Sequence, residues 1–144
     1  MKAIIAGGGT GGHLFPGIAV AREIQRRHPG SEILFVGAEK GIEARIVPSE
    51  GFALRTLPIG GLKGKGVQLA LKNAVGMLGG LIKAKRILKD FEPDVVIGVG
   101  GYASGPMLRM AAMKKIPTVI QEQNSYAGVT NRLLARMEDI ICVV

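Results

Sequence analysis

Two glycine-rich segments, each placed between an apolar strand and a helix, constrain the fold of this chain more than any other feature. The first, residues 7–12, follows the apolar run 2–6, and the second, residues 98–105, closes the apolar run 95–99. Pro16 and Pro106 come next and suit the first turn of a helix, where a missing N–H costs nothing. Glycine lets the backbone approach a ligand closely, and helix N-termini attract anions. We therefore predict two anion-binding turns of the same construction.

Strand-like and helix-like runs alternate along the whole chain. We predict strands at residues 2–6, 33–36, 53–57, 95–99, 118–121 and 140–144, and helices at 16–28, 42–48, 67–89, 106–115 and 128–137. The strands are short, continuous and β-branched, which is typical of strands buried on both faces of a parallel sheet. The sequence thus predicts an α/β fold, a doubly wound Rossmann-like parallel sheet with strand order 3-2-1-4-5-6. Residues 1–144 are expected to form one domain of a longer protein.

Strands one and four are neighbours in this order, and ligands bind beyond the carboxyl ends of the strands at that point. Both glycine segments should therefore line one crevice. A third segment, residues 121–131, follows strand five and is dense in hydrogen-bonding side chains. Within it, Glu122 is expected either to be structural or to hold a ligand hydroxyl. Three polar loops at one place indicate a pyrophosphate and a sugar rather than a metal, since no His, Cys or Asp cluster has ligand spacing.

The glycines of the first segment also allow a different interpretation. Gly7, Gly9 and Gly12 satisfy the G-x-G-x-x-G pattern, which is weak evidence for a dinucleotide site. The acid that would bind the ribose should follow about 20 residues on, at the end of strand two. Glu32 has that spacing but precedes the strand, and Glu39 lies at the strand end but too far along the chain. A nicotinamide-binding oxidoreductase domain therefore stays an alternative with little support.

His13 follows the first glycine segment at the mouth of the predicted crevice. Histidine can accept a proton near neutral pH, so His13 is a candidate general base. The alternative is a helix-entry residue that only bonds the backbone. His28 is expected on the surface. The single cysteine, Cys142, excludes an internal disulfide and is predicted to be buried in strand six.

The positive charge of the chain is concentrated in one region. The net charge is +8, and no Asp or Glu lies between Glu50 and Asp90. Within that region, residues 73–82 are uncharged, too few to span a bilayer but suited to peripheral membrane contact. The alternative is a helix packed on the sheet with a solvated basic edge. The predicted membrane patch comprises Lys72, Val75, Leu78, Leu81, Ile82, Lys83, Lys85 and Arg86. Scarce aromatics and the lack of a recognition motif argue against nucleic acid.

The three loop segments resemble the signature motifs of the MurG family of glycosyltransferases. Residues 8–13 with Pro16 are similar to its first glycine loop, residues 100–106 to its second, and residues 122–124 with 127–131 to its third. The resemblance covers the whole chain in the right order. It departs at Gln121, where many members have His, so a role for that histidine cannot be essential here.

This resemblance implies the N-terminal, acceptor-binding and membrane-facing domain of a glycosyltransferase-B architecture, with the donor-binding C-terminal domain absent from this chain. The family transfers N-acetylglucosamine from UDP-GlcNAc to the muramyl 4-hydroxyl of lipid I, giving lipid II with inversion, in peptidoglycan synthesis at the cytoplasmic face of the inner membrane. No cofactor is implied, and the isolated chain is expected to be inactive. A non-catalytic, membrane-docked subunit of a two-chain glycosyltransferase is the remaining alternative.

The resemblance also implies roles for single residues. His13 matches the general base. The matched donor-binding positions are Thr10, Gly11, Gly12 and Asn124. The acceptor and diphosphate positions expected here are Gly100, Gly101, Tyr102, Ser104, Glu122 and Asn131.

Overall fold

The computed structural model describes residues 1–59, 67–122 and 140–143, with side chains for all of these except 67–75, 141 and 143. The strands are β1 Lys2–Gly7, β2 Glu32–Ala38, β3 Ala53–Leu57, β4 Val95–Gly100, β5 Thr118–Glu122 and β6 Ile140–Val143. The helices are α1 Gly11–Arg27, α2 Glu43–Ser49, α3 Val67–Phe91 and α4 Ser104–Met113. The helix predicted at 128–137 lies outside the described residues.

The six strands form one parallel sheet in the order β3-β2-β1-β4-β5-β6, which confirms the predicted topology. β1 lies in the middle, so Ala3 pairs with Ile33 of β2 on one side and with Val95 of β4 on the other. The register between β1 and β4 shifts between Ala6 and Gly7. This irregularity falls where the two predicted glycine loops begin.

Helices cover both faces of the sheet, as the doubly wound fold requires. Successive strand residues point to opposite faces, so Ile4 packs in the cluster beneath α3 and α4, whereas Ile5 packs beneath α1 and α2. Both side chains are completely buried. The packing of the helices on the sheet therefore fixes the positions of the loops and helix N-termini that follow β1 and β4.

Helix α1 differs from the prediction because it begins at Gly11 rather than Pro16. Pro16 is therefore the sixth helical residue, beyond the first turn in which a proline costs no hydrogen bond. Leu14, Gly17 and Ile18 are buried on the sheet, and this packing outweighs the weak helix propensity of the preceding glycines. The prediction for Pro106 is confirmed, since it is the third residue of α4.

Among the strands that the structure describes, β6 pairs only with β5. Cys142 lies in this strand as predicted, but it is exposed, so the prediction that it would be buried is wrong. The sequence pattern identified the strand and could not show that it forms an end of the described sheet.

Candidate functional site

The loops that follow β1 and β4 contact each other directly. The Gly8 N–H donates a hydrogen bond to the Gly100 carbonyl at 3.2 Å. Gly101 has a φ of +84°, and a Cβ added there would overlap the Gly8 carbonyl oxygen. Both the backbone conformation and the close approach therefore require glycine at this position. The predicted convergence of the two loops is confirmed.

His13 lies beside this contact. It is the third residue of α1 and is half-buried. A Cβ added to Gly100 would lie 2.6 Å from the His13 Nδ1 atom, so the imidazole packs against the Gly100 backbone. The earlier start of α1 thus places His13 in the first helical turn rather than before it. The ring is held between the first turn of α1 and the second glycine loop.

The N-terminus of α1 forms the first side of the crevice. Thr10 is the N-cap residue, with an extended backbone at φ −134° and ψ 158°, and it is exposed. Its carbonyl accepts the His13 and Leu14 N–H groups at 3.2 and 3.1 Å. Gly12 is also exposed. The positive end of the helix dipole therefore faces the place where an anionic ligand would approach.

The second loop contributes one exposed and one buried polar side chain. Tyr102 is 62% exposed, which suits the predicted contact with a ligand. Ser104 is completely buried. Its hydroxyl oxygen accepts a hydrogen bond from the Gly100 N–H at 3.0 Å, and the hydroxyl donates a hydrogen bond to the Ala6 carbonyl oxygen at 2.7 Å. Ser104 therefore has a structural role in this loop, and its contact with the acceptor stays a prediction. Its hydroxyl ties the start of α4 to the ends of β1 and β4.

The third loop is described only at its beginning. Glu122 ends β5 and is 2% exposed, which agrees with the structural alternative given for it. The Gln121 Oε1 atom is buried and has no hydrogen-bond partner among the described residues. Asn124 and Asn131 lie outside the described residues.

Sequence reasoning missed one residue of the site. Glu43, the first residue of α2, is 1% exposed, and its carboxyl accepts the N–H groups of Gly9 and Ala38, each at 2.8 Å. It therefore lies directly beneath the first glycine loop. A single acid at the start of a short helix has no distinguishing pattern, and only the fold brings it to this loop.

The predicted membrane patch is partly described. On α3, Leu78 and Ile82 are 62% and 58% exposed, and Met77, which the prediction omitted, is also exposed. Leu81 is half-buried. Lys85 and Arg86 are exposed, whereas the Lys83 Nζ lies 4.0 Å from a Glu39 carboxyl oxygen. The side chains of Lys72 and Val75 are outside the described residues. An apolar face flanked by cations is thus present along the second half of α3.

Neither a membrane-spanning helix nor a metal-binding cluster occurs in the described part of the chain. No helix among the described residues is long and apolar enough to cross a bilayer. No group of three or more His, Cys, Asp and Glu side chains in the described ranges is arranged to hold a metal ion.

The doubly wound sheet, with two glycine loops in contact at its switch point, defines a Rossmann-like domain whose crevice suits phosphate-bearing ligands. The chain belongs to glycosyltransferase family 28, whose N-terminal domain matches residues 3–143. The resemblance drawn from the three loop motifs is thereby confirmed, and the nicotinamide alternative is not supported.

Several named relatives are similar over nearly the whole chain. The UDP-N-acetylglucosamine--N-acetylmuramyl-(pentapeptide) pyrophosphoryl-undecaprenol N-acetylglucosamine transferase of Pelobacter propionicus is 54% identical over 143 residues, which is 99% of this chain and 38% of that protein. The enzyme of the same name from Anaeromyxobacter sp. (strain Fw109-5) is 52% identical over 96% of this chain and 36% of its own length. The chain therefore spans little more than a third of these relatives.

Solved structures agree with these sequence relationships. The crystal structure of Acinetobacter baumannii MurG matches with a TM-score of 0.86 and 33% identity, covering 99% of this chain and 41% of that chain. A UDP-GlcNAc 2-epimerase from Neisseria meningitidis matches with a TM-score of 0.68 and 17% identity, covering 98% and 39%. The second match shows a shared fold alone.

Proposed function

We propose that this chain is the acceptor-side domain of an enzyme that transfers N-acetylglucosamine from UDP-GlcNAc to the muramyl 4-hydroxyl of lipid I, forming lipid II with inversion. The observation that carries this proposal is the position of His13, whose imidazole packs on Gly100 where the two glycine loops meet. Support also comes from relatives more than 50% identical that are named as N-acetylglucosamine transferases acting on a pyrophosphoryl-undecaprenol acceptor.

The proposed roles follow the two sides of the crevice. Thr10, Gly11 and Gly12 contact the donor at the N-terminus of α1, and Asn124 of the third sequence motif also contacts the donor. Gly100, Gly101 and Tyr102, together with Asn131, hold the acceptor and its diphosphate. Backbone N–H groups and a helix N-terminus suit a diphosphate because they offer positive charge without reorganisation.

His13 would act as the general base. Its imidazole accepts the proton of the acceptor 4-hydroxyl while that oxygen forms a bond to the anomeric carbon of the donor sugar. The bond from this carbon to the diphosphate breaks on the opposite face, and UDP leaves with the bonding electron pair. A half-buried ring in the first turn of α1 has few rotamers available, which favours a fixed direction for proton transfer.

The test uses the natural full-length protein, labelled UDP-GlcNAc and a soluble lipid I analogue. His13→Ala should lower kcat by about 10²- to 10⁴-fold, the usual contribution of a general base. His28→Ala is the matched control because His28 is exposed at the far end of α1, and it should retain activity within about 2-fold. A loss of only a few-fold in His13→Ala would remove the base role. Absence of transfer by the unmodified enzyme would refute the proposed reaction.

We also propose that the second half of α3 contacts an anionic membrane surface from the cytoplasmic side, so that the enzyme binds it peripherally. Support comes from the exposed Leu78 and Ile82 and from the adjacent cations Lys85 and Arg86. An apolar face combined with basic side chains is what interfacial binding to anionic lipid needs.

A further inference from the structure

The Glu43 carboxyl group links two elements that are distant in sequence. Its Oε2 atom accepts the Gly9 N–H across 34 positions, and its Oε1 atom accepts the Ala38 N–H at the end of β2. The side chain is 1% exposed. Burying a carboxyl group is costly unless it is hydrogen-bonded, and here both oxygens are used. The loop after β1 is therefore fastened to β2 and α2 through this one side chain.

Glycine backbone forms the space around the carboxyl group. A Cβ added to Gly8 would lie 2.7 Å from the Glu43 Cδ atom, and one added to Gly37 or Gly41 would overlap the same side chain. The first glycine loop thus rests on the carboxyl group with no side chain between them. Any change in the carboxyl group must displace this loop.

We propose that Glu43 is a positioning residue for the donor side of the crevice, a role that rests on the function proposed above. By holding the Gly9 N–H inward, Glu43 fixes the shape of the loop that leads into Thr10 and the first turn of α1. Because Glu43 is buried, it acts on the sugar nucleotide only through the loop. Removal of the Glu43 carboxylate should therefore weaken donor binding in a protein that still folds.

The kinetic and binding test compares Glu43→Gln with Glu50→Gln in the full-length protein. Glutamine keeps the volume of Glu43 but replaces one accepting oxygen with an NH₂ group, which cannot accept an N–H. Loss of one such bond should raise the KM for UDP-GlcNAc, and its Kd by calorimetry, about 10- to 100-fold, with a smaller change in the KM for the acceptor. Glu50 is the C-cap residue of the same helix, its side chain is 40% exposed, and it pairs with Arg22. Glu50→Gln should therefore change these constants less than about 2-fold.

Hydrogen exchange measures the loop without relying on catalysis. Gly9 is exposed, yet its N–H is donated to a buried carboxyl group, so the peptide containing Gly9 should exchange slowly in the unmodified protein. Glu43→Gln should accelerate this exchange at least about 10-fold, and Glu50→Gln should leave it unchanged. Exchange as fast in the unmodified protein as in an open loop would overturn the proposal.

The outcomes separate the two proposals. If the unmodified enzyme does not bind UDP-GlcNAc, the proposed function fails whatever the exchange shows. If the unmodified enzyme and Glu43→Gln bind UDP-GlcNAc equally well, only the positioning role is refuted. Should Glu43→Gln not fold, Gly8→Ala displaces the loop from the same carboxyl group and should likewise weaken UDP-GlcNAc binding about 10-fold or more. Unchanged binding in a folded Gly8→Ala variant would also refute the role.

Discussion

Replacing Gly101 by alanine tests whether the contact between the two glycine loops stabilises the fold. Gly101 combines a φ of +84° with a position where an added Cβ overlaps the Gly8 carbonyl. Gly30 provides the matched control because its φ is +86° and nothing lies within 4 Å of an added Cβ. The two variants therefore share the backbone strain of alanine at positive φ, and only Gly101→Ala adds the collision.

The expected difference follows from these contacts. Alanine in the left-handed region costs about 1–2 kcal/mol, partly offset by about 0.4–1 kcal/mol from the smaller entropy of the unfolded chain. Gly30→Ala should therefore lower the free energy of unfolding by about 1 kcal/mol. In Gly101→Ala the loops must also separate, which adds about 1–3 kcal/mol of overpacking and about 1 kcal/mol for the Gly8–Gly100 hydrogen bond. We expect Gly101→Ala to be about 3 kcal/mol less stable than Gly30→Ala.

Urea denaturation followed by circular dichroism measures both free energies of unfolding. The difference of about 3 kcal/mol corresponds to a shift in midpoint of roughly 1–3 M for a typical dependence on urea. Equal stabilities, within about 0.5 kcal/mol, would refute the conclusion that the loops are held in contact at Gly101.

Three further results are expected. Ser104→Ala should lower the free energy of unfolding by about 2 kcal/mol in urea denaturation, because a buried N–H and a buried carbonyl lose their partner. Hydrogen bonds from Arg26, and to a smaller extent from Arg27, lower the pKa of Glu23 from 4.5 to about 2. The stability that the charged Glu23 carboxylate contributes is therefore present above pH 4.5 and is lost as the pH falls toward 2. NMR titration of the Glu23 carboxyl group measures this pKa. Leu78→Ser should lower sedimentation of the full-length protein with anionic vesicles several-fold, because it removes an exposed apolar side chain from α3.

Each of these expectations has a control. Ser49→Ala removes an exposed hydroxyl and should change stability by less than about 0.5 kcal/mol, so an equal loss in both serine variants would contradict the bracing role of Ser104. A Glu23 carboxyl that titrates near pH 4.5 would contradict its pairing with the arginines. Met113 is 63% exposed on α4, and if Met113→Ser reduced vesicle binding as much as Leu78→Ser, the membrane contact would not be specific to α3.

The fold was largely predictable from sequence because its strands are short, fully buried and separated by strong helix and loop signals. All six strands were placed within one or two residues, and their order in the sheet was predicted correctly. The contact between the two glycine loops followed from that order, since the carboxyl ends of neighbouring parallel strands lie side by side. His13 was identified for the same reason.

The remaining features depend on packing that local sequence does not encode. Helix α1 starts before Pro16 because Leu14 is buried on the sheet, which no propensity reveals. Ser104 was expected to face a ligand, but its hydroxyl turns inward to bond the ends of two strands. Glu43 has no sequence neighbour in the site and meets the glycine loop only after β1 and β2 are paired. The hydrogen-bond partners of these buried polar side chains could therefore not be predicted from the sequence alone.

The central place of β1 determines when the site can form as the chain is synthesised. β1 is made before the other described strands, but one of its two neighbours is β4, and the Lys2 N–H donates a hydrogen bond to the Asp94 carboxyl across 92 positions. Contacts this distant in sequence close late and slow folding. The first glycine loop therefore cannot meet its partner loop until β4 has been synthesised, and until then the backbone N–H and C=O groups on that edge of β1 stay unpaired. Chains released before residue 100 would retain that exposed edge and be prone to aggregation.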